Sequence, residues 1–189
     1  TISQNMLPFE PKELSNYGLS LRKLKFTIIK YLQIYTFLNS EGIIFLSNYA
    51  KHVISKKINL SSKSTKIIPH GIDKSFFIKK NKIFESSNNL GGGEPFKFIY
   101  ISTVDMYKHQ WNVIKAVGKL KSDGYNVQLD LIGDSYKPAL KKMINEIDLV
   151  DKNKDFIFYH GSVLHKNLYK FYEESDLIIY ASSCENLPI

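Results

Sequence analysis

Four short apolar runs in the second half of the chain predict buried β-strands. These runs lie at residues 98–101, 129–132, 156–159 and 177–180. Three of the four are continuous rather than alternating with polar residues. Continuous apolar runs of this length are typical of strands that are covered on both faces of a parallel sheet.

Amphipathic stretches lie between these runs, with apolar residues at helical spacing. They comprise Val113, Ile114, Val117 and Leu120; Leu140, Met143, Ile144 and Ile147; and Leu164, Leu168, Phe171 and Tyr172. The alternation of strand and helix predicts βαβ units with right-handed crossovers, and therefore an α/β fold. Residues that stand where helix N-caps are expected are Asp105, Ser135 and Ser162.

The first half of the chain predicts a different set of elements. One long amphipathic helix is indicated by apolar residues at helical spacing, namely Leu21, Leu24, Ile28, Leu32 and Tyr35. A strand at 43–46 follows this helix. Ser47 is then expected to cap a short helix that includes Ala50 and Ile54.

A polar, glycine-rich segment separates the two halves. Residues 86–89 are serine and asparagine, and glycines occupy 91–93, a composition that does not hold a packed element. We therefore expect one domain at residues 1–73, a linker at 74–94 and a second domain at 95–189.

Composition narrows the classes of protein. Hydrophobic residues make up 43% of the 189 residues, and no apolar run approaches the roughly 20 residues that span a bilayer. The N-terminus lacks the residue order of a signal peptide, and the single cysteine, Cys184, cannot form an internal disulfide. These features predict a cytoplasmic protein. The net charge of +8 fits a nucleoside diphosphate or an anionic membrane face, although the base composition of an AT-rich genome explains scattered lysines equally well.

Polar loops follow the predicted strands of the second half, at 102–108, 133–135, 160–162 and 181–186. In open α/β sheets, ligands bind at the carboxyl ends of the strands. Lys108, just ahead of a predicted helix, would add positive charge where the helix N-terminus already favours phosphate. By spacing alone, a phosphate site and a set of ordinary polar connections remain equal alternatives.

Three segments resemble motifs of the family-4 glycosyltransferases, which are retaining enzymes of the GT-B fold with two Rossmann-like domains. Residues 68–73, Ile-Pro-His-Gly-Ile-Asp, resemble the connector between those domains. Residues 102–108, Ser-Thr-Val-Asp-Met-Tyr-Lys, resemble the segment that grips the donor diphosphate. Residues 182–188, Ser-Ser-Cys-Glu-Asn-Leu-Pro, resemble the opening of the Glu-x7-Glu motif. A wider set of segments, at residues 4–9, 45–47 and 107–110, is similar to transferases that build bacterial surface polysaccharides.

The resemblance implies roles for individual residues. Lys108 would neutralise the departing diphosphate. Glu185 would hydrogen-bond hydroxyl groups of the donor sugar, with the backbone amides of Asn186 and Leu187 beside it. Lys108 and Glu185 are therefore the expected catalytic residues.

Four further positions follow from the same resemblance. Gly161 would let the chain pass close to the nucleotide base, and Gly133 would leave room for the ribose or a phosphate. For both glycines, an equal alternative is that glycine is present only because the chain makes a tight turn there. His70 and Gly71 would lie at the cleft between the two domains.

The chain also departs from the family pattern. Ser102 and Thr103 belong to the expected donor-binding loop, but Thr103 stands where the family usually has arginine. No general base is assigned, because residues 4–5, Gln-Asn, replace a usual His-Asp pair. The second glutamate of the Glu-x7-Glu motif would lie beyond Ile189 and an early glycine-rich loop before Thr1. The resemblance therefore implies a chain truncated at both ends and inactive by itself.

The expected function is transfer of a sugar, with retention, from a nucleotide-diphosphate sugar to a saccharide or lipid-linked acceptor in surface polysaccharide synthesis. No cofactor and no metal are expected, because the chain has no Asp-x-Asp triplet and its histidines show no ligand spacing. A peripheral contact with the anionic inner face of the membrane stays open.

Other functions are disfavoured by particular absences in the sequence. A dehydrogenase would need a Gly-x-Gly-x-x-Gly motif between strand and helix. A nucleic-acid partner is not expected, because basic residues are not clustered with interleaved aromatic residues. A non-catalytic sugar-nucleotide-binding or partner-binding module remains the alternative.

Overall fold

A computed structural model describes residues 1–72, 74 and 93–186 of the chain. The chain divides into two compact units: Thr1–Ile72 together with Ser183–Ile189, and Asp73–Ser182. Most of the expected linker, residues 75–92, lies outside the described residues.

The expected second domain, 95–189, differs at its C-terminal end from the second compact unit. The residues from Ser183 onward group with the first unit rather than with the second. The side chain of Asn186 explains this grouping, because its Nδ2 donates to the carbonyl of Ser3 at 2.7 Å and its Oδ1 accepts from the hydroxyl of Ser47 at 3.0 Å. Such long-range contacts are invisible to a boundary drawn from composition.

The first unit contains a parallel three-stranded sheet in the order β1-β2-β3. A 3-10 turn, Leu7–Phe9, follows the first strand. The strands and helices in chain order are β1 (Ile2–Ser3), α1 (Pro11–Ser15), α2 (Leu21–Asn39), β2 (Gly42–Phe45), α3 (Asn48–Ser55) and β3 (Ser64–Ile67).

Helix α2 confirms the long helix expected from periodicity. It begins after Ser20, whose hydroxyl accepts from the amide of Lys23 at 3.2 Å. Phe26 and Phe37 are its buried residues, whereas the apolar stripe by which the sequence indicated the helix is exposed. Neither α2 nor any other helix among the described residues is long and apolar enough to cross a membrane.

Helix α3 begins as the sequence predicts. The hydroxyl of Ser47 accepts from the amide of Ala50 at 3.2 Å, and Ala50 and Ile54 are buried. Tyr49, in the first turn, donates a hydrogen bond to the carboxylate of Glu10. Partial burial and then this bond to the Glu10 carboxylate raise the pKa of Tyr49 above its ordinary value.

The second unit contains a parallel four-stranded sheet in the order β6-β5-β4-β7, which confirms the four strands and the α/β fold. Helices α4 and α5 pack on the sheet around a core that includes Tyr100, Ile114, Leu129 and Met143. The elements in chain order are β4 (Phe96–Ile101), α4 (Gln110–Ser122), β5 (Val127–Ile132), α5 (Lys137–Val150), β6 (Ile157–Tyr159), α6 (His165–Glu174) and β7 (Leu177–Ile178).

Two of the expected helix caps in this unit are wrong. Asp105 does cap, accepting from the amide of Met106 at 2.7 Å, but it caps a short 3-10 turn ahead of α4. Ser135 instead forms a parallel bridge with Val104, and α5 begins after Tyr136. In the same way α6 begins after Leu164, so the expected cap at residue 162 lies outside it.

The strand expected at 177–180 is shorter than the sequence indicates. Strand β7 contains only Leu177 and Ile178, and both side chains are exposed. In the part of the chain that the structure describes, β7 pairs with β4 alone, so it lies at an edge of this sheet and has one side without a paired strand.

Asp151, just beyond α5, is a buried carboxylate that organises the turn into β6. It accepts from the amides of Asp155 at 2.9 Å, Phe156 at 2.9 Å and Ile157 at 2.8 Å. We expect Asp151→Asn to lower the free energy of unfolding by about 2 kcal/mol, because an amide NH₂ would face buried donors. Chemical denaturation measures this loss. Asp148→Asn, on the exposed side of α5, is the control, and equal losses for both variants would contradict the assignment.

Candidate functional site

Three loops of the second unit follow the carboxyl ends of β4, β5 and β6. We call residues 102–109, 133–136 and 160–164 the carboxyl-edge loops. Backbone hydrogen bonds join them: Val104 donates to the carbonyl of Asp134 at 2.7 Å, and Gly133 donates to the carbonyl of Gly161 at 2.8 Å. The loops therefore form one connected layer, in the position where open parallel sheets bind ligands.

Gly133 is the point of closest approach between two of these loops. Its φ is +146°, and a Cβ built on it would lie 2.1 Å from the carbonyl oxygen of Ser102. The hydroxyl of Tyr159 also donates to the Gly133 carbonyl at 2.9 Å. Only glycine fits here without a backbone shift, because both the conformation and the space exclude a side chain.

Gly161 differs from Gly133 in its surroundings. Its φ is +67°, in the left-handed region, but a Cβ at this position would meet no atom within 4 Å. The side of Gly161 on which a Cβ would stand is open. The contact with Ser102 is a packing reason for glycine at 133, and the Cβ position of Gly161 is open. The donor-binding roles of both glycines stay predictions.

Lys108 ends the 3-10 turn Met106–Lys108 and is 7% exposed. Its Nζ lies 5.1 Å from the ring centroid of Tyr107 and 5.2 Å from that of Tyr180. The same Nζ donates to the hydroxyl of Tyr180 at 3.4 Å. Aromatic faces attract a cation, so the two rings hold the ammonium in one place. The solvated lysine that is common at helix starts is therefore not what this position contains.

The backbone around Lys108 is fixed by side chains of the same unit. The buried hydroxyl of Tyr100 donates to the Lys108 carbonyl at 2.7 Å. The hydroxyl of Ser182 donates to the Tyr107 carbonyl at 3.4 Å. These bonds connect β4 and the segment after β7 to the turn that carries the cation.

Ser102 and Thr103 are tied to the start of α4 by Gln110. The Gln110 Nε2 donates to the Ser102 hydroxyl and to the Thr103 carbonyl, at 3.1 Å each. Gln110 is 2% exposed, and its Oε1 is buried without a hydrogen-bond partner among the described residues. Gln110 thus connects the helix N-terminus to the loop that precedes it.

A second polar group lies beside the third loop. His160 Nε2 and Asp130 Oδ1 are 2.6 Å apart, and Asp130 Oδ2 accepts from Gln128 Nε2 at 2.8 Å. The ring of Phe171, on α6, meets the His160 ring edge-to-face at 5.1 Å. This group orients the residue that immediately precedes Gly161.

The remaining expected site residues lie in the first unit. Glu185 is half-buried and follows the buried Cys184, and the Asn186 side chain is bonded to the first unit as described above. His70 and Gly71 follow β3 and are exposed. Leu187 lies outside the described residues. The second unit therefore brings together Ser102, Thr103, Lys108, Gly133 and Gly161, but none of these other residues.

Sequence reasoning missed two residues that shape this site. Tyr180 was assigned to a buried strand, although it contacts the Lys108 ammonium. Gln110 lies two residues after Lys108, at the first position of α4. A polar residue at a predicted helix start is the sequence feature that could have identified it.

Two features at this edge of the sheet favour negative charge. The Lys108 ammonium is held in place, and the 13-residue helix α4 begins two residues later at Gln110. A cation and a helix N-terminus are both compatible with a phosphate. Within the described ranges, no group of three histidine, cysteine, aspartate or glutamate residues could hold a metal ion.

Solved structures with a similar fold include several sugar transferases. HepE from Anabaena, solved with UDP and glucose, has a TM-score of 0.66 at 16% identity; the match covers 98% of this chain and 47% of that one. A variant of TarM from S. aureus, solved with Fondaparinux, alpha-GlcNAc-glycerol and UDP, has a TM-score of 0.63 at 15% identity, over 99% and 32%. Sucrose-phosphate synthase from Thermosynechococcus elongatus gives 0.63 at 16% identity, over 93% and 43%. These similarities confirm the GT-B fold.

The amino-acid sequence also matches known proteins. An uncharacterized glycosyltransferase from Methanocaldococcus jannaschii is 26% identical over 167 residues, which are 87% of this chain and 39% of that protein. The chain thus spans about two fifths of that relative's length. Residues 81–189, more than half of the chain, match the family described as glycosyl transferases group 1. With the carboxyl-edge loops inside the matched region, the chain belongs to the glycosyl transferases group 1 family.

Proposed function

We propose that this chain is part of an enzyme that transfers a sugar from a nucleoside-diphosphate sugar to a saccharide or lipid-linked acceptor, with retention at the anomeric carbon. The finer proposals, family 4 and surface polysaccharide synthesis, rest on the motifs at residues 68–73, 102–108 and 182–188. Cytoplasmic action at the inner face of a membrane is part of the same proposal.

The observation that carries this proposal is the state of Lys108. The Lys108 ammonium is buried, is held by two tyrosine rings and lies directly ahead of a helix N-terminus. This arrangement suits the binding of a negatively charged group of a ligand. In water-poor surroundings a charge acts more strongly than it does in bulk water. Diphosphate is the group whose charge grows during transfer, so a preorganised cation would stabilise the transition state.

The proposed reaction balances without an external base. The bond between the anomeric carbon and the diphosphate oxygen breaks, and the acceptor hydroxyl oxygen bonds to that carbon on the same face. The acceptor proton passes to the departing diphosphate. The protein contributes mainly position and electrostatic stabilisation, which fits a site to which no general base is assigned.

Individual residues have proposed places in this reaction. Lys108 neutralises the leaving diphosphate, and the Thr103 hydroxyl supplies a neutral hydrogen bond where arginine is usual. Glu185 orients the donor sugar through its hydroxyl groups. Gly161 leaves space for the nucleotide.

The nucleotide is proposed from the similar structures. HepE and TarM were both solved with UDP, so uridine diphosphate is the first candidate for the carboxyl-edge loops. Bivalent metal ions are proposed to be unnecessary, since the chain has no Asp-x-Asp triplet and Lys108 supplies positive charge.

Nucleotide binding by the protein that contains this chain tests the proposal. Thermal unfolding is measured with UDP-, GDP-, dTDP- and ADP-sugars, with and without EDTA. We expect one nucleotide to raise the melting temperature, and EDTA to leave that rise unchanged. A ligand at a hundred times its dissociation constant stabilises the folded state by about 2.7 kcal/mol, which is readily detected.

Each contrary result has a distinct meaning. No stabilisation by any of the four nucleotides would contradict the donor site. A rise that EDTA abolishes and Mg²⁺ restores would contradict metal independence. Nucleotide binding with no sugar transfer by the protein that contains this chain would favour the non-catalytic binding module.

A further inference from the structure

We infer that Gln110, the first residue of α4, is a positioning residue that sets how tightly the protein binds the nucleotide-diphosphate sugar. It acts through residues 102–103, which we call the donor loop. The inference rests on the proposed sugar transfer, in which Ser102 and Thr103 lie beside the donor. It adds to that proposal a residue that the motifs of the sequence did not include.

The amide group of Gln110 holds the donor loop from the buried side. Gln110 is 2% exposed, whereas Thr103 is exposed. The Gln110 Nε2 donates to the Ser102 hydroxyl and to the Thr103 carbonyl, at 3.1 Å each. One side chain therefore fixes two adjacent residues of the loop and leaves the exposed side of Thr103 available to a ligand.

The donor loop determines the orientation of the Gln110 amide. The Thr103 carbonyl oxygen can only accept a hydrogen bond, so the NH₂ group has to face it. The Gln110 Oε1 is then buried, and it has no hydrogen-bond partner among the described residues. An apolar side chain of the same length would fill this position without burying a polar atom. The bonds to the loop, rather than the packing of α4, therefore explain why position 110 is glutamine.

The backbone immediately before Gln110 is also unusual. His109 has a φ of +54°, in the left-handed region that residues with a side chain rarely adopt. This residue separates the turn that ends at Lys108 from the first residue of α4. Conformations of this kind persist where the surrounding structure holds them, and they cluster at binding and catalytic sites. Lys108 and Gln110 are thus two buried polar side chains on either side of one strained residue.

The two side chains should affect different kinetic parameters. Lys108 carries a charge, which acts more strongly as the diphosphate departs. Ser102 and Thr103 are neutral, so their hydrogen bonds to the donor should be of similar strength in the ground state and in the transition state. Binding that is equal in both states lowers KM and leaves kcat unchanged. Loss of the Gln110 amide should therefore raise the KM for the donor.

Gln110→Met in the protein that contains this chain tests the inference. The substitution keeps the length of the side chain and removes both donated hydrogen bonds. We expect the donor KM to rise about fivefold or more and kcat to change less than about twofold, the scale of losing modest hydrogen bonds. The melting temperature should stay the same or rise, because the buried Oε1 is removed as well. Gln110→Glu, which cannot donate when ionised, should also raise the donor KM.

Gln33→Met is the matched control. Gln33 lies on α2 in the first unit, and its Oε1 is likewise buried without a partner among the described residues. Its replacement should leave the donor KM unchanged.

The possible outcomes separate this inference from the proposed function. A native-like donor KM in an active Gln110→Met protein would overturn the inference alone. A fall in melting temperature with equal losses in kcat and in kcat/KM would also overturn it, because Gln110 would then serve folding. If the native protein binds a nucleotide but transfers no sugar, the proposed function fails alone, and Gln110→Met should still weaken that binding about fivefold or more.

Discussion

Replacing Lys108 with alanine is expected to lower kcat/KM for sugar transfer by about a hundredfold or more in the protein that contains this chain. This factor corresponds to about 2.7 kcal/mol, the scale of losing one preorganised group that stabilises developing charge. The held ammonium should act more strongly as the diphosphate departs than in the ground state, so most of the loss should appear in kcat. Steady-state kinetics on the purified variant measure both parameters.

One control variant separates the effect on the reaction from the effect on folding. Lys108→Ala also loses two cation–π contacts, so we expect a stability loss of about 1 kcal/mol. Lys142→Ala removes another cation–π contact of the same unit, between the Lys142 Nζ and the Trp111 ring at 3.8 Å, and leaves the Lys108 ammonium in place. It should lose similar stability and keep full activity.

Tyr180→Phe gives an intermediate test of the same group. It keeps the aromatic ring beside Lys108 and removes only the hydroxyl that accepts from Nζ. We expect a kcat loss of about three- to tenfold, the scale of one modest hydrogen bond. Near-native kcat/KM in Lys108→Ala would end the assignment of Lys108 to the diphosphate.

Gly133→Ala is expected to lower the free energy of unfolding by about 3 to 4 kcal/mol. A Cβ would lie 2.1 Å from the Ser102 carbonyl oxygen and 2.5 Å from its carbonyl carbon, and neither backbone atom can move as a flexible side chain would. The φ of +146° adds strain for any residue with a side chain. Overpacking and backbone strain each cost on the order of 1 to 3 kcal/mol, so their sum is large.

Gly161→Ala is the matched control for this prediction. Gly161 also has positive φ, but no atom lies within 4 Å of the added Cβ, so only conformational strain of about 1 kcal/mol is expected. Chemical denaturation of both variants compares the two losses. Equal small losses would show that the Ser102–Gly133 approach relaxes freely. Nucleotide binding by Gly133→Ala should also weaken, because the 102–103 backbone has to shift.

The local pattern of residues determined most of the secondary structure. Continuous apolar runs marked the strands of the parallel sheet, and helical spacing marked α2, α4, α5 and α6, because burial of one face imposes those periods on the sequence. Ser47 and Asp105 cap as expected, since a cap depends on neighbours a few residues away. Lys108 was found for a similar reason, as a cation next to a helix start.

Tertiary contacts determined which side chains are buried and which residues meet, because the local sequence pattern does not specify contacts between distant residues. The Lys108 ammonium contacts Tyr180, which lies 72 residues away, and the need for glycine at 133 depends on the Ser102 carbonyl in another loop. Ser135 does not cap a helix as expected, because it forms a β-bridge with Val104.

The same holds for surfaces and boundaries. The apolar spacing of α2 predicted a helix but not which side of it packs against the first unit. Phe26 and Phe37 form the packed side, through their aromatic contacts. The predicted apolar stripe, which begins at Leu21 and ends at Tyr35, is exposed. The grouping of the residues after Ser182 with the first unit rests on hydrogen bonds from Asn186 across more than a hundred positions. Sequence determined the elements, because their periods are local; only the folded chain decided which faces and side chains meet, because those contacts join distant residues.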